Sequence, residues 1–160
     1  MEFMEDGKKM NNLKIFYEDN HIIVVEKKAN ILSQADSTKD IDMLTIIKKY
    51  IKEKYNKPGN VYLGLVHRLD RPVGGVMVFA KTSKAASRLS EQVREKVFKK
   101  KYLVICNWYF HSTKGTLKDY LLKNEKNNMS KVVKEGTKNS KYAKLDYEVL
   151  NMIKNWIYQC

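Results

Sequence analysis

The sequence predicts an α+β fold: a mixed, largely antiparallel sheet with flanking helices. Three observations predict it. Short runs of β-branched and aromatic residues recur between polar turns. Two stretches repeat apolar residues at helical spacing. The resulting order, β-β-α-β-β-α-β-β-β, points to the α+β class. At 160 residues the chain suits one domain with a real core.

The elements follow in order. "LKIFYEDNHIIVVEK" carries two apolar segments around Asp19-Asn20 and predicts a hairpin, Lys14–Tyr17 with Ile22–Glu26. "ANILSQADSTKD" is a polar loop. Ile41, Leu44, Ile47, Ile51 and Tyr55 then recur at helical spacing, with Ser37, Thr38 or Asp40 available as N-cap. "NKPGN" ends that helix. Val61–Val66 and Gly75–Ala80 read as strands flanking a charged turn. "KTSKAASRLSEQVREKVFKKK" is a second helix, capped by Thr82 or Ser83, with Ala86, Leu89, Val93 and Val97 on one face. "KYLVICNWYF" reads as a strand, and Thr116–Leu122 as another. Residues 123–141, basic and polar, read as an exposed, mobile segment. "YAKLDYEVL" alternates, placing Ala143, Leu145, Tyr147 and Val149 on one face.

The totals narrow the function classes. No run of about 18 apolar residues suggests a membrane span. The first residues, "MEFMEDGKKMNN", lack the apolar stretch of a signal peptide. Cys106 and Cys160 are too few for a disulfide framework, and no CxxC or HExxH spacing suggests a metal. The expectation is a soluble, reduced, cytoplasmic protein. Thirty-one Lys and Arg against 18 Asp and Glu give a net charge of +13. Residues 81–160 hold 18 basic and 7 acidic side chains, against 13 and 11 in residues 1–80. A concentrated positive field favours polyanions, nucleic acid first among them, although lysine-rich chains also use such charge for solubility.

Chemistry concentrates in "GLVHRLDRPVGGVMVFAKT", Gly64 to Thr82. Charges in a half-buried run are costly unless paired or used. Local physics permits three readings. In the first, Asp70 caps a turn, Pro72 stiffens it, Gly74 and Gly75 allow tight backbone, and the arginines pair with Asp70. In the second, His67 and Asp70 begin a metal site, which would need further ligands. In the third, Asp70 is a reactive carboxylate in a basic, strand-walled pocket, kept ionised by Arg68 and Arg71 and able to act as nucleophile or base toward a sugar carbon. The arginines would then meet phosphate.

"HRLD", followed by two residues, a small residue and glycine, then "VMVFAKT", the helix "AASRLSEQVREK" and "KKKYLV", resembles the RluA-type pseudouridine synthases. "EDNHIIVVEKKANILSQ" is similar to that family's opening strand and loop, and the likeness covers roughly residues 13–150. The resemblance implies an RNA-modifying isomerase acting on ribosomal or transfer RNA, with no cofactor and no metal. It implies that Asp70 acts on the ribose of an extruded uridine, as nucleophile at the anomeric carbon or as the base that gives a glycal; extrusion is needed because a stacked nucleotide cannot bring its sugar to the carboxylate. It implies that Arg68 helps hold the RNA and that Tyr102, in "KKY", stacks on the uracil and assists proton removal; alone, Tyr102 would read as a core strand residue. His67 is expected to orient the loop, and Arg71 to touch phosphate or stand solvated. Lys28 stands where the family usually has proline, and Val73-Gly74-Gly75 replaces a Thr-Ser-Gly type.

Family members continue past the "YEVL"-like strand into a "GRTHQIR"-like block, which is not found here. The expected organisation is a flexible lead (1–12), a partial catalytic domain (13–150) incomplete at its C-terminus, and an atypical tail (151–160). Missing strands would leave a sheet edge unpaired and apolar side chains exposed. The alternative to an active enzyme is an impaired member that only binds RNA.

Overall fold

The computed structural model of the chain describes residues 3–5, 8–10, 13–107, 110–127 and 129–152. They fall into two units, Met1–Tyr102 and Leu103–Cys160. The α+β class holds, with every ladder among the described residues antiparallel. The mixed sheet expected from sequence is reduced, among the described residues, to one isolated parallel bridge, Leu32 with Asp42.

In the first unit the lead residues carry a short hairpin, β1 (Phe3–Glu5) with β2 (Lys8–Met10). The expected hairpin follows as β3 (Ile15–Glu18) and β4 (Ile22–Lys27). Its turn forms because the Asp19 carboxylate accepts the N–H groups of His21 and Ile22, both at 2.7 Å. Along β4 the buried positions alternate: Ile23, Val25, Lys27. This register puts a lysine on the core-facing side of the sheet.

Helix α1 (Met43–Lys54) covers that side. Met43, Ile47 and Ile51 recur every four residues and pack with Ile23, Val25, Met77 and Phe79. Its N-cap is Asp42, not Ser37, Thr38 or Asp40: the Asp42 carboxylate accepts Leu44 N–H at 2.9 Å and Thr45 N–H at 3.2 Å. Asp36 instead turns the preceding loop by accepting from Thr38. The expected strand over 61–66 pairs only at β5 (Gly64–Leu65), while β6 (Gly75–Ala80) has its expected bounds. The sheet order is β3-β4-β6-β5. Helix α2 (Ser83–Arg94) is capped by Thr82 and lies close to β5; a Cβ on Gly64 would stand 2.9 Å from the Ala86 methyl. It ends earlier than expected. Lys96 takes a positive φ of 59°, the N–H groups of Val97 and Phe98 close back on the Gln92 carbonyl, and Val97 is left exposed.

The expected strand over "KYLVICNWYF" does not form where it is described. Residues 101–107 are irregular, with Leu103 85% and Ile105 100% exposed; Trp108 and Tyr109 lie outside the described residues. The propensity is there, but no neighbour supplies a ladder among the described residues, and pairing rather than propensity makes a strand. The second unit is a three-stranded sheet, order β8-β7-β9: β7 (Lys114–Asn124), β8 (Met129–Val133) and β9 (Lys141–Glu148). Strand β8 corrects the reading of 123–141 as wholly mobile. Val132 and Val133 suit a strand, and they pair with Leu121 and Tyr120 across the turn at 125–127. The alternation of β9 is partly realised: Ala143, Tyr147 and Val149 are half-buried, Leu145 is exposed.

Candidate functional site

The loop from Val66 to Gly74 leaves β5 and returns as β6, and its backbone is tied from several directions. The Val73 N–H donates to the Asp70 carbonyl at 3.0 Å, closing a four-residue turn. The Asn30 N–H donates to the Arg71 carbonyl at 2.7 Å. Buried Ser33 grips Leu69 twice: its hydroxyl donates to the Leu69 carbonyl at 2.6 Å and accepts the Leu69 N–H at 3.2 Å. Gly74 passes tightly over the β4 exit, where an added Cβ would stand 3.3 Å from the Ala29 nitrogen.

Lys27 is the centre of these anchors. Its side chain is fully buried, and its ammonium donates to the carbonyls of Val73 (2.6 Å), Asp70 (3.1 Å), Arg71 (3.1 Å) and Lys28 (3.4 Å). Burial pulls its pKa below 10.5, and the negative charge of Asp70 opposes that pull. The ammonium does what a chain of backbone bonds would do elsewhere: it gathers carbonyls that would otherwise point apart. Lys27 is not among the site residues expected from sequence, and its one sequence signal is that it continues the inward alternation of Ile23 and Val25.

The five expected site residues are placed differently from one another. Asp70 is exposed, and its carboxylate makes no hydrogen bond or ion pair among the described residues. The arginine pairing of the structural reading is not seen among the described residues, while its turn at Asp70 and its tight backbone at Gly74 are. Arg71 instead meets Asp40 at 2.8 Å on the surface, and Arg68 is exposed without an ion pair among the described residues. Among the described residues the turn presents Asp70 to solvent, while Lys27 and Ser33 hold its backbone from the buried side. His67 is half-buried. Its Nε2 accepts the Val78 N–H at 3.1 Å, and its ring stacks at a tilt 5.5 Å from Phe98. Burial, aided by the charge of Lys100, holds its pKa below 6.5. With Nε2 engaged by the Val78 N–H, the His67 ring is tied to β6. Among the described residues no group of three or more His, Cys, Asp or Glu could hold a metal. Tyr102 is largely exposed, and no bond or ring contact joins it to the turn among the described residues.

A second polar cluster buttresses the far end of the sheet. Glu18 accepts from Lys54 (2.7 Å), Lys81 (2.8 Å), Tyr50 and Tyr55 (both 2.9 Å). Burial alone would raise its pKa, but these four donors outweigh burial and hold it at about 2.

Chemically, the turn offers an exposed carboxylate whose backbone is held rigidly above a buried cation, with Arg68, Arg71 and Lys28 exposed along the same stretch. Such a carboxylate can act as nucleophile or base on a substrate carrying its own phosphates. No helix of the described residues is long and apolar enough to cross a membrane.

Comparison with known proteins bears on the same stretch. The family described as RNA pseudouridylate synthase matches residues 21–160. The ribosomal large subunit pseudouridine synthase C of Buchnera aphidicola subsp. Acyrthosiphon pisum (strain APS) is 33% identical over 122 residues, covering 75% of this chain and 36% of that protein. Its counterpart in Escherichia coli (strain K12) is 34% identical over 110 residues, 69% of this chain and 33% of that one. Among solved structures, human RNA pseudouridylate synthase domain containing 4 superposes with a TM-score of 0.62 at 16% identity, over 88% of this chain and 54% of that one. The chain thus spans about a third of the length of these curated relatives.

Proposed function

The chain belongs to the RNA pseudouridylate synthase family, and from that premise we propose that it isomerises uridine to pseudouridine in RNA with Asp70 as the reacting group. The supporting observation is the contrast at the turn. Asp70 is held through its carbonyl by Lys27 and Val73, while its carboxylate carries no structural bond among the described residues. A carboxylate exposed on so well anchored a backbone is available for chemistry.

In the proposed reaction an ionised Asp70 oxygen bonds to the ribose anomeric carbon as the carbon–nitrogen glycosidic bond breaks, and the uracil leaves with the bonding pair on N1. An equivalent start has Asp70 remove the C2′ proton, leaving a glycal. The uracil turns, C5 bonds to the anomeric carbon, and the bond to Asp70 breaks or the glycal regains its proton. Loss of the C5 proton restores the ring, and N1 takes up a proton. Tyr102 stacks on the uracil and assists that last transfer. Arg68 and Arg71 hold flanking phosphates, where a guanidinium fork fits paired oxygens. The route needs no cofactor or metal. The names of the relatives favour ribosomal RNA over transfer RNA as substrate.

A second reading, RNA binding without isomerisation, is favoured by the exposure of Asp70 and of Tyr102, whose ring makes no contact among the described residues. Tritium release from RNA labelled at uridine C5 separates the two. Release by the full chain that vanishes in Asp70→Ala supports the enzyme. A folded chain that binds RNA without release selects the second reading.

A further inference from the structure

Helix α1 carries a basic stripe that the turn does not use. Lys48 and Lys52, one turn apart, are exposed, and Lys49 lies half-buried between them. With Gly59, Asn60 and Val61 they line an open hollow of about 450 Å³. Three details give the hollow a chemistry. Lys48 and Lys52 make no ion pair among the described residues, so like charges face each other across one helical turn, which is unfavourable until an anion sits between them. The N–H groups of Gly59, Asn60 and Val61 make no hydrogen bond among the described residues. Gly59 has a positive φ of 75° and nothing within 4 Å of an added Cβ, so its wall is bare backbone.

The hollow also has a defined position relative to Asp70. Strand β6 runs from Gly75, beside the Asp70 turn, to Ala80, and β5 pairs Gly64 with Ala80. Residues 59–61 therefore lie toward the opposite end of the sheet from Asp70. Helix α1 bridges the two ends. Its start is fixed near the turn by the bond from Met43 N–H to the Leu32 carbonyl and by the Arg71–Asp40 pair just before it. At 1.5 Å per residue, Lys48 and Lys52 stand about 8 and 14 Å further along.

We propose that Lys48, Lys49 and Lys52, with the Gly59–Val61 backbone, form a phosphate-backbone site that holds RNA along α1, remote from the nucleotide presented at Asp70. The inference rests on the proposed function for the identity of the polyanion. Lysine ammoniums suit it as mobile point charges that tolerate any base sequence. The site acts on RNA that runs on past the target uridine and leaves a short fragment untouched.

The test compares the full chain with Lys48→Gln/Lys49→Gln/Lys52→Gln and with the corresponding triple arginine variant. Affinity is measured against salt on a uridine-containing single strand of roughly 20 nucleotides and on one of about 4. Each lost single-strand phosphate contact takes about 0.7 from the slope of log affinity against log salt, so the glutamine variant is expected to be shallower by about 2 on the long RNA. Slopes on the short RNA should match, the arginine variant should retain the long-RNA slope, and circular dichroism should report an unchanged fold. An unchanged long-RNA slope in a folded glutamine variant overturns the site alone. A native chain with no salt-dependent RNA affinity overturns the site and the proposed function together.

Discussion

Replacing Lys27 by methionine separates the anchoring of the Asp70 turn from the stability of the fold. The side chains are similar in length, so the cavity left is small, and the change removes an ammonium with its hydrogen bonds. Four carbonyls lose a donor, with unequal consequences. The Asp70 carbonyl keeps the Val73 N–H, and the Arg71 carbonyl keeps the Asn30 N–H. The Lys28 contact is long, at 3.4 Å. Val73, bonded at 2.6 Å, is the chief loser. Hydrogen bonds to a charged donor contribute about 1.5–3 kcal/mol each, but Val73 is exposed enough for water to replace one, and removing the buried charge offsets part of the rest. The net expectation is a loss of about 1–3 kcal/mol in a denaturant titration. The turn should loosen by more than the whole. In hydrogen exchange the Asn30 and Val73 amides should exchange at least about tenfold faster relative to core amides such as Val25 and Met77, tenfold corresponding to about 1.4 kcal/mol of local opening. Unchanged exchange at Asn30 and Val73 in a folded variant would refute the anchoring role.

Other outcomes follow from the same contacts. The folded pKa of Glu18 is about 2 against an ordinary 4.5, so its contribution is present above pH 4.5 and is lost as pH falls through 2. With Glu18 only 8% exposed in its pair with Lys81, that contribution is on the order of 2 kcal/mol, and Glu18→Gln should flatten the acid limb of a stability–pH curve. His67 is held neutral below its usual 6.5, so the unfolded chain takes up its proton first and stability falls as pH drops below 6.5. His67→Leu should remove that dependence and cost about 1–3 kcal/mol by orphaning the Val78 N–H, read by thermal melting across pH. Asp42→Ala should cost about 1–2 kcal/mol through the lost cap of α1, seen as a lower denaturant midpoint with an unchanged slope.

Much of the first unit was legible in the sequence because its signals are local. Asp19 turning a hairpin, Ile47 and Ile51 repeating along α1, and Thr82 capping α2 each act within a few residues, and each element formed close to its expected place. The motif around Asp70 was legible for the same reason: it is short and contiguous. What misled was propensity read without partners. Leu103, Val104 and Ile105 are as β-prone as Val132 and Val133, yet among the described residues the latter alone pair with a neighbouring strand. Ending α2 at Arg94 and capping α1 at Asp42 were decided by which carbonyl or carboxylate reached an unpaired N–H, a matter of ångströms that spacing does not carry.

The sequence by itself determined the α+β class, the order of the hairpins and helices in the first unit, the basic bias, and the position of the HRLD motif between two strands. The tertiary structure decided the rest. Strand pairing brought Lys27, from the far side of helix α1 in sequence, beneath residues 70–73, and Ser33 against Leu69. Their backbone bonds hold Asp70 in place and leave its carboxylate exposed. The physical reason is that buried polar groups must find partners wherever the fold presents them, and those partners lie tens of residues apart.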